Sequence, residues 1–149
     1  MSELVIEEAV DQSGIDVTVL DEAVLNALGQ VQGKYDAGFV SRMITMFMET
    51  ALVLLIRLKE GVANGDSAAL RHACHELKSC SATIGAYSLA AHCERLESIA
   101  REGPVADAAS LVEVIGLEYR RAEAYLIARL ARLQPVEPDR SRAYTPGVC

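Results

Sequence analysis

Apolar residues recur along the chain at steps of three and four, the spacing of helices that each bury one face. The first stretch is short: Leu20, Val24, Leu25 and Leu28, with Thr18 as the predicted cap and Gly29 as the stop. A connector from Gln30 to Asp36, holding Gly33, leads to a long second helix capped by Asp36. Its core side is predicted to carry Phe39, Met43, Met46, Phe47, Leu54 and Leu58. That helix should run to about Ala63 and stop at Asn64-Gly65, with Asp66 or Ser67 capping the next one at once.

The third helix, from about Ala68 to Gly85, carries Leu70, Ala73, Leu77, Cys80, Ser81 and Ile84 on one stripe. The fourth, from about Ser88 to Glu102, carries Leu89, Cys93, Leu96 and Ala100 and ends at Gly103-Pro104. Asp107 is the predicted cap of a last helix with Leu111, Val112, Ile115, Tyr119, Ala122, Leu126 and Leu130 at helical spacing, reaching about Leu133. Loops this short make consecutive helices antiparallel neighbours. The pattern predicts an all-α fold, an antiparallel four-helix bundle with a short additional N-terminal helix, in one domain over residues 18–133. Residues 1–17 read as a flexible, acidic lead-in, and residues 134–149, with Pro135, Pro138 and Pro146, as a flexible tail.

Composition agrees with helix over sheet: about half of the 149 residues are apolar, yet there is no Trp, two Phe and five Tyr. A net charge of −7 without any run of Lys and Arg argues against a nucleic-acid partner. The most apolar run, Ala51 to Ile56, is bounded by Glu49, Arg57, Lys59 and Glu60 and is shorter than the ~20 residues of a membrane span, so no membrane association is expected. Cys74, Cys80, Cys93 and Cys149 form no C-x-x-C pair and follow no signal peptide, which predicts reduced thiols in the cytoplasm. Of the residues that could bind zinc, His72, Cys74, His75, His92 and Cys93 scatter around their helices, and no metal site is predicted.

His75 stands apart from this pattern. At ~100° per residue it points about 170° away from the apolar stripe of its helix, into solvent. Arg71, Lys78, Ser79, Ala82 and Ala86 are predicted on the same outer face, two cations beside three small residues. An exposed imidazole can act as a nucleophile, and phosphoryl transfer asks chiefly for alignment and charge compensation. Lys78, a helical neighbour three residues on, is the expected compensating cation; Arg71 and Arg101 are weaker candidates for that work. His72 lies about 60° round the helix from His75, and His92 has no comparable setting. No stretch resembles a nucleotide-binding loop.

The run His75-Glu76-Leu77-Lys78-Ser79-Cys80-Ser81-Ala82-Thr83-Ile84-Gly85-Ala86, followed by Leu89, Cys93, Leu96 and Glu97, resembles the signature of the histidine-containing phosphotransfer (HPt) domain family. That signature is roughly H-x-L-K-G-S-[SA]-A-x-x-G-A, then a leucine and a C-x-x-L-E segment. The likeness extends more weakly from about Leu20 to Leu133. It departs where Ser79 stands for the usual glycine and Cys80 for the serine after it. The resemblance implies that His75 is the phosphorylated histidine and Lys78 its lysine. It implies a phosphocarrier without kinase activity that accepts a phosphoryl group from a receiver-domain aspartate and passes it reversibly to another receiver. The implied partners are receiver domains of response regulators and hybrid sensor kinases, with no cofactor of the chain's own and Mg²⁺ held by the partner. A monomer is expected, and Met1 with the two flexible ends favours a free-standing carrier over a domain of a larger hybrid kinase. The alternative is a helical adaptor that binds a receiver or kinase without being phosphorylated.

Overall fold

The chain is described here by a computed structural model covering residues 18–31, 33–103 and 105–133. The predicted lead-in, the tail and Pro104 of the fourth helix's stop lie outside the described residues. In order, the elements are helix α1 (Glu22–Gly29), strands β1 (Gln30–Val31) and β2 (Lys34–Tyr35), and helices α2 (Ala37–Asn64), α3 (Ser67–Ile84) and α4 (Tyr87–Glu102). A 3-10 turn (Val105–Ala108) then leads into helix α5 (Ala109–Leu133).

Helices α2 to α5 form the bundle: each packs on the next, and α5 closes against α2. The helix stops are chemical. Asp36 Oδ1 accepts from the Phe39 N–H at 3.0 Å and Asp66 Oδ1 from that of Ala69 at 3.0 Å, each satisfying a donor the helix leaves open. Gly65 and Gly85 follow α2 and α3 in the left-handed region, at φ 63° and 91°, which glycine enters without steric cost. Around Gly85 the backbone reverses so tightly that α3 and α4 are joined by two residues.

Four expectations are corrected by packing. The first helix begins after Asp21, whose carboxylate accepts from the Ala23 N–H at 3.1 Å, and not at Thr18; the Thr18 carbonyl instead accepts from the Ser88 N–H at 2.6 Å. Along α2 the buried set is Val40, Ile44, Phe47, Ala51, Leu54 and Leu58, with Met43 half-buried and Met46 exposed. Both sets have helical spacing, so periodicity leaves the phase open; it is fixed where Val40 packs beside Gly29. On α3 it is Cys74 that is buried, while Cys80 is half-buried at the edge of α2. Asp107 lies inside the 3-10 turn.

Two further findings were not predicted. The connector forms a two-residue antiparallel pair, Gln30 opposite Tyr35 and Val31 opposite Lys34, around Gly33. Helix α2 is long and apolar enough, by length and composition, to cross a membrane, which the short run Ala51–Ile56 had not suggested. Its inner face is the bundle core, and the surplus apolarity lies on its outer side at Leu52, Val53 and Ile56.

Candidate functional site

On α3, Ala73, Cys74 and Leu77 are buried, and this anchors the helix so that His75 stands outward with 65% of its side chain exposed. The hairpin geometry decides what faces it. His75 is ten residues before Gly85 and Glu97 eleven after Ala86, so the antiparallel helices bring both to the same height. Helical spacing then places Lys78 one turn from His75 and Arg101 one turn from Glu97.

Glu97 is the hub of this arrangement. Its side chain is only 13% exposed, and its carboxylate meets Lys78 Nζ at 3.0 Å, His75 Nδ1 at 3.5 Å and Arg101 Nη2 at 3.5 Å. The Lys78 hydrogen bond, with the charges of Lys78, His75 and Arg101, holds the Glu97 carboxyl below its ordinary range despite the opposing effect of burial. At neutral pH the group is therefore a carboxylate. A carboxylate facing Nδ1 keeps the imidazole proton on that nitrogen and leaves Nε2 with the free lone pair.

Beside His75 and Lys78, the exposed residues Ser79 and Ala82 of α3 continue into Tyr87, Ala90 and Ala91 of α4 as a shallow concave surface. On the far side of Ser79 and Thr83 a second, apolar groove opens towards Met43 and Met46 of α2. The structure places His75, Lys78 and Arg101 around Glu97, with Ser79 and Ala82 beside His75. Arg71 is exposed on α3 outside the Glu97 cluster. Ala86 is a correction: predicted on the outer face, it is fully buried. The helical register that would put it beside His75 ends at Ile84, and the left-handed Gly85 turns the chain inward.

His72 approaches Glu76 at 3.6 Å and not Glu97. His92 is half-buried on α4, and burial lowers its pKa. Beneath the site, burial pushes the Cys74 thiol up to about 12 and that of Cys93 higher still, so both are small core side chains and poor nucleophiles. Among the described residues no three His, Cys, Asp or Glu side chains are grouped as a metal would need. Sequence reasoning missed the role of Glu97, which it met only as the last letter of C-x-x-L-E. The available signal was its height opposite His75 across a two-residue turn. Tyr87, Ala90 and Ala91 were missed for the same reason, since they belong to the neighbouring helix.

The family model described as "Hpt domain" matches residues 42–134. The crystal structure of histidine-containing phosphotransfer protein B (HptB) from Pseudomonas aeruginosa PAO1 superposes with a TM-score of 0.70 at 29% sequence identity, covering 76% of this chain and 96% of that one. A search of curated proteins finds no match.

Proposed function

This chain belongs to the Hpt domain family, a histidine phosphotransfer protein of a phosphorelay, and we propose that His75 accepts the phosphoryl group from a receiver-domain aspartate and returns it to another receiver. The observation that carries the reading is the Glu97 carboxylate 3.5 Å from Nδ1 of an exposed histidine. With the proton held on Nδ1, Nε2 attacks the phosphorus of an aspartyl phosphate in line; the N–P bond forms, the O–P bond breaks and the aspartate leaves as a carboxylate. The imidazole gains positive charge as the bond forms, and Glu97 faces the nitrogen that bears it.

Lys78 has two employments. In the resting chain it pairs with Glu97, and its flexible stem allows the ammonium to swing to the phosphoryl oxygens during transfer. Arg101, on the same carboxylate, keeps Glu97 ionised when Lys78 moves. The concave surface of Ser79, Ala82, Ala90 and Ala91 supplies small side chains around the imidazole, so a convex partner can approach closely. The acyl phosphate and its Mg²⁺ belong to that partner, and the chain contributes no kinase chemistry.

The test is a three-component relay. A receiver domain carrying labelled aspartyl phosphate is mixed with a second, unlabelled receiver in Mg²⁺, with and without this chain. The expected result is label reaching the second receiver only when the chain is present, by way of an acid-labile, base-stable adduct. Label that stays on the first receiver while the chain merely binds it would favour the adaptor reading.

A further inference from the structure

The concave surface beside His75 carries an acid on its α4 side. Glu94 lines it there, exposed and level with Lys78 of α3. Lys78 is seven residues before Gly85 and Glu94 eight after Ala86, the same offset that sets His75 level with Glu97. Lys78 nevertheless gives its ammonium to Glu97, at 3.0 Å, and Arg101 turns to that carboxylate as well. One turn from Glu94 along α4 lie Ala90, Ala91, Glu97 and Ser98, none of them a cation, and Arg95 points about 100° round the helix. Glu94 makes no hydrogen bond or ion pair among the described residues. Two turns earlier on the same face, about 10 Å away, Tyr87 closes the other end of the concavity and is 44% exposed. Small side chains thus lie between an aromatic ring and an unneutralised carboxylate.

A convex partner that fills this surface covers Glu94 and strips water from it. A carboxylate buried without a partner is costly, and one facing a second carboxylate costs more. The surroundings give no relief, because Lys78 and Arg101 are held by Glu97 and the chain as a whole carries −7. Resting on the reading that a receiver docks around His75, we propose that Glu94 selects which receiver does so. The accepted partner carries a Lys or Arg against Glu94 and an apolar contact about 10 Å away against Tyr87. A receiver with an acid in place of that cation is refused. Lys78 and Glu94 then divide the work: the mobile ammonium meets the phosphoryl group, and the carboxylate reads the protein that brings it.

The receiver domain of the relay experiment, titrated unphosphorylated into the full chain at about 50 mM salt, tests the selection. Glu94→Lys should weaken binding about tenfold or more and Glu94→Gln by less, and the difference should fade towards about 500 mM salt as the pair is screened. Both variants should keep the wild-type circular dichroism and thermal midpoint, because Glu94 holds no other side chain of the described fold. Changing the receiver's surface Lys and Arg singly to Glu should locate one position whose reversal restores affinity for Glu94→Lys. Binding of Glu94→Lys as tight as that of the wild type at low salt overturns the proposal, and so does a receiver scan in which no reversal restores affinity. Label on His75 is read separately from phosphorylated receiver. A chain that shows the charge effect on binding but takes no label supports the selection and overturns the transfer reading instead.

Discussion

The carboxylate of Glu97 governs three side chains at once, so it is the residue whose loss should be felt most after His75 itself. Glu97→Ala removes the group that fixes the imidazole tautomer and frees Lys78, and it should slow phosphorylation of His75 about ten- to a hundredfold. Single-turnover transfer from a phosphorylated receiver measures this, and an unchanged rate would remove Glu97 from the mechanism. The same residue gives a pH signature. Its carboxyl titrates lower in the folded chain than unfolded, so its pairing stabilises the fold above the ordinary carboxylate pKa, about 4.5, and is lost as pH falls through the lowered folded value. The difference in urea midpoint between the wild type and Glu97→Gln should accordingly be present at about pH 7 and shrink by about pH 3. At this scale the sequence was informative about exposure and poor about pairing. His75 stood out because one helix face can be computed from spacing alone, whereas Glu97 acts across two helices, and its partner could be known only once the hairpin's height was fixed.

At the scale of the elements, the α3/α4 turn sets the site. Gly85 combines a left-handed backbone with a position where a Cβ would lie 2.8 Å from the Asp21 carbonyl oxygen. Gly85→Ala should cost more than the about 1–2 kcal/mol of the left-handed conformation alone, because Asp21 must also move. Denaturant unfolding reads the loss, and a cost near zero would mean the turn tolerates another backbone path. The caps at Asp36 and Asp66 and the stops at Gly65 and Gly85 were legible in the sequence, because capping depends on residues within one turn of the helix end. The phase of α2 was not legible. That helix is apolar on more than one side, and whether Val40 and Ile44 or Phe39 and Met43 face inward is decided by α1 and Gly29. Ala86 failed for the converse reason: helical geometry was carried past the residue where the helix stops.

At the scale of the molecule, the N-terminal helix is tied to the far end of the chain by one buried cation. Arg129, its side chain 7% exposed, donates to Glu22 Oε1 and Asn26 Oδ1 at 2.6 Å each and to the Tyr35 hydroxyl at 2.9 Å, and Arg132 adds a second contact to Glu22 at 2.8 Å. Nothing in the spacing of α5 marked Arg129 as buried, since a charged residue enters a core position only when distant partners satisfy it. Arg129→Ala should cost about 1–3 kcal/mol and speed amide exchange in α1 while leaving exchange around His75 unchanged. Equal loosening of α3 would contradict a clamp confined to α1. The helix count and the bundle followed from periodicity and loop length, and the motif led to the family. The chemistry that all of this positions rests on one imidazole, and the most direct measurement is the incubation of wild type and His75→Gln with a labelled phospho-receiver and Mg²⁺. The wild type should acquire an acid-labile, base-stable phosphate and the variant none; equal labelling of the two proteins would contradict the account.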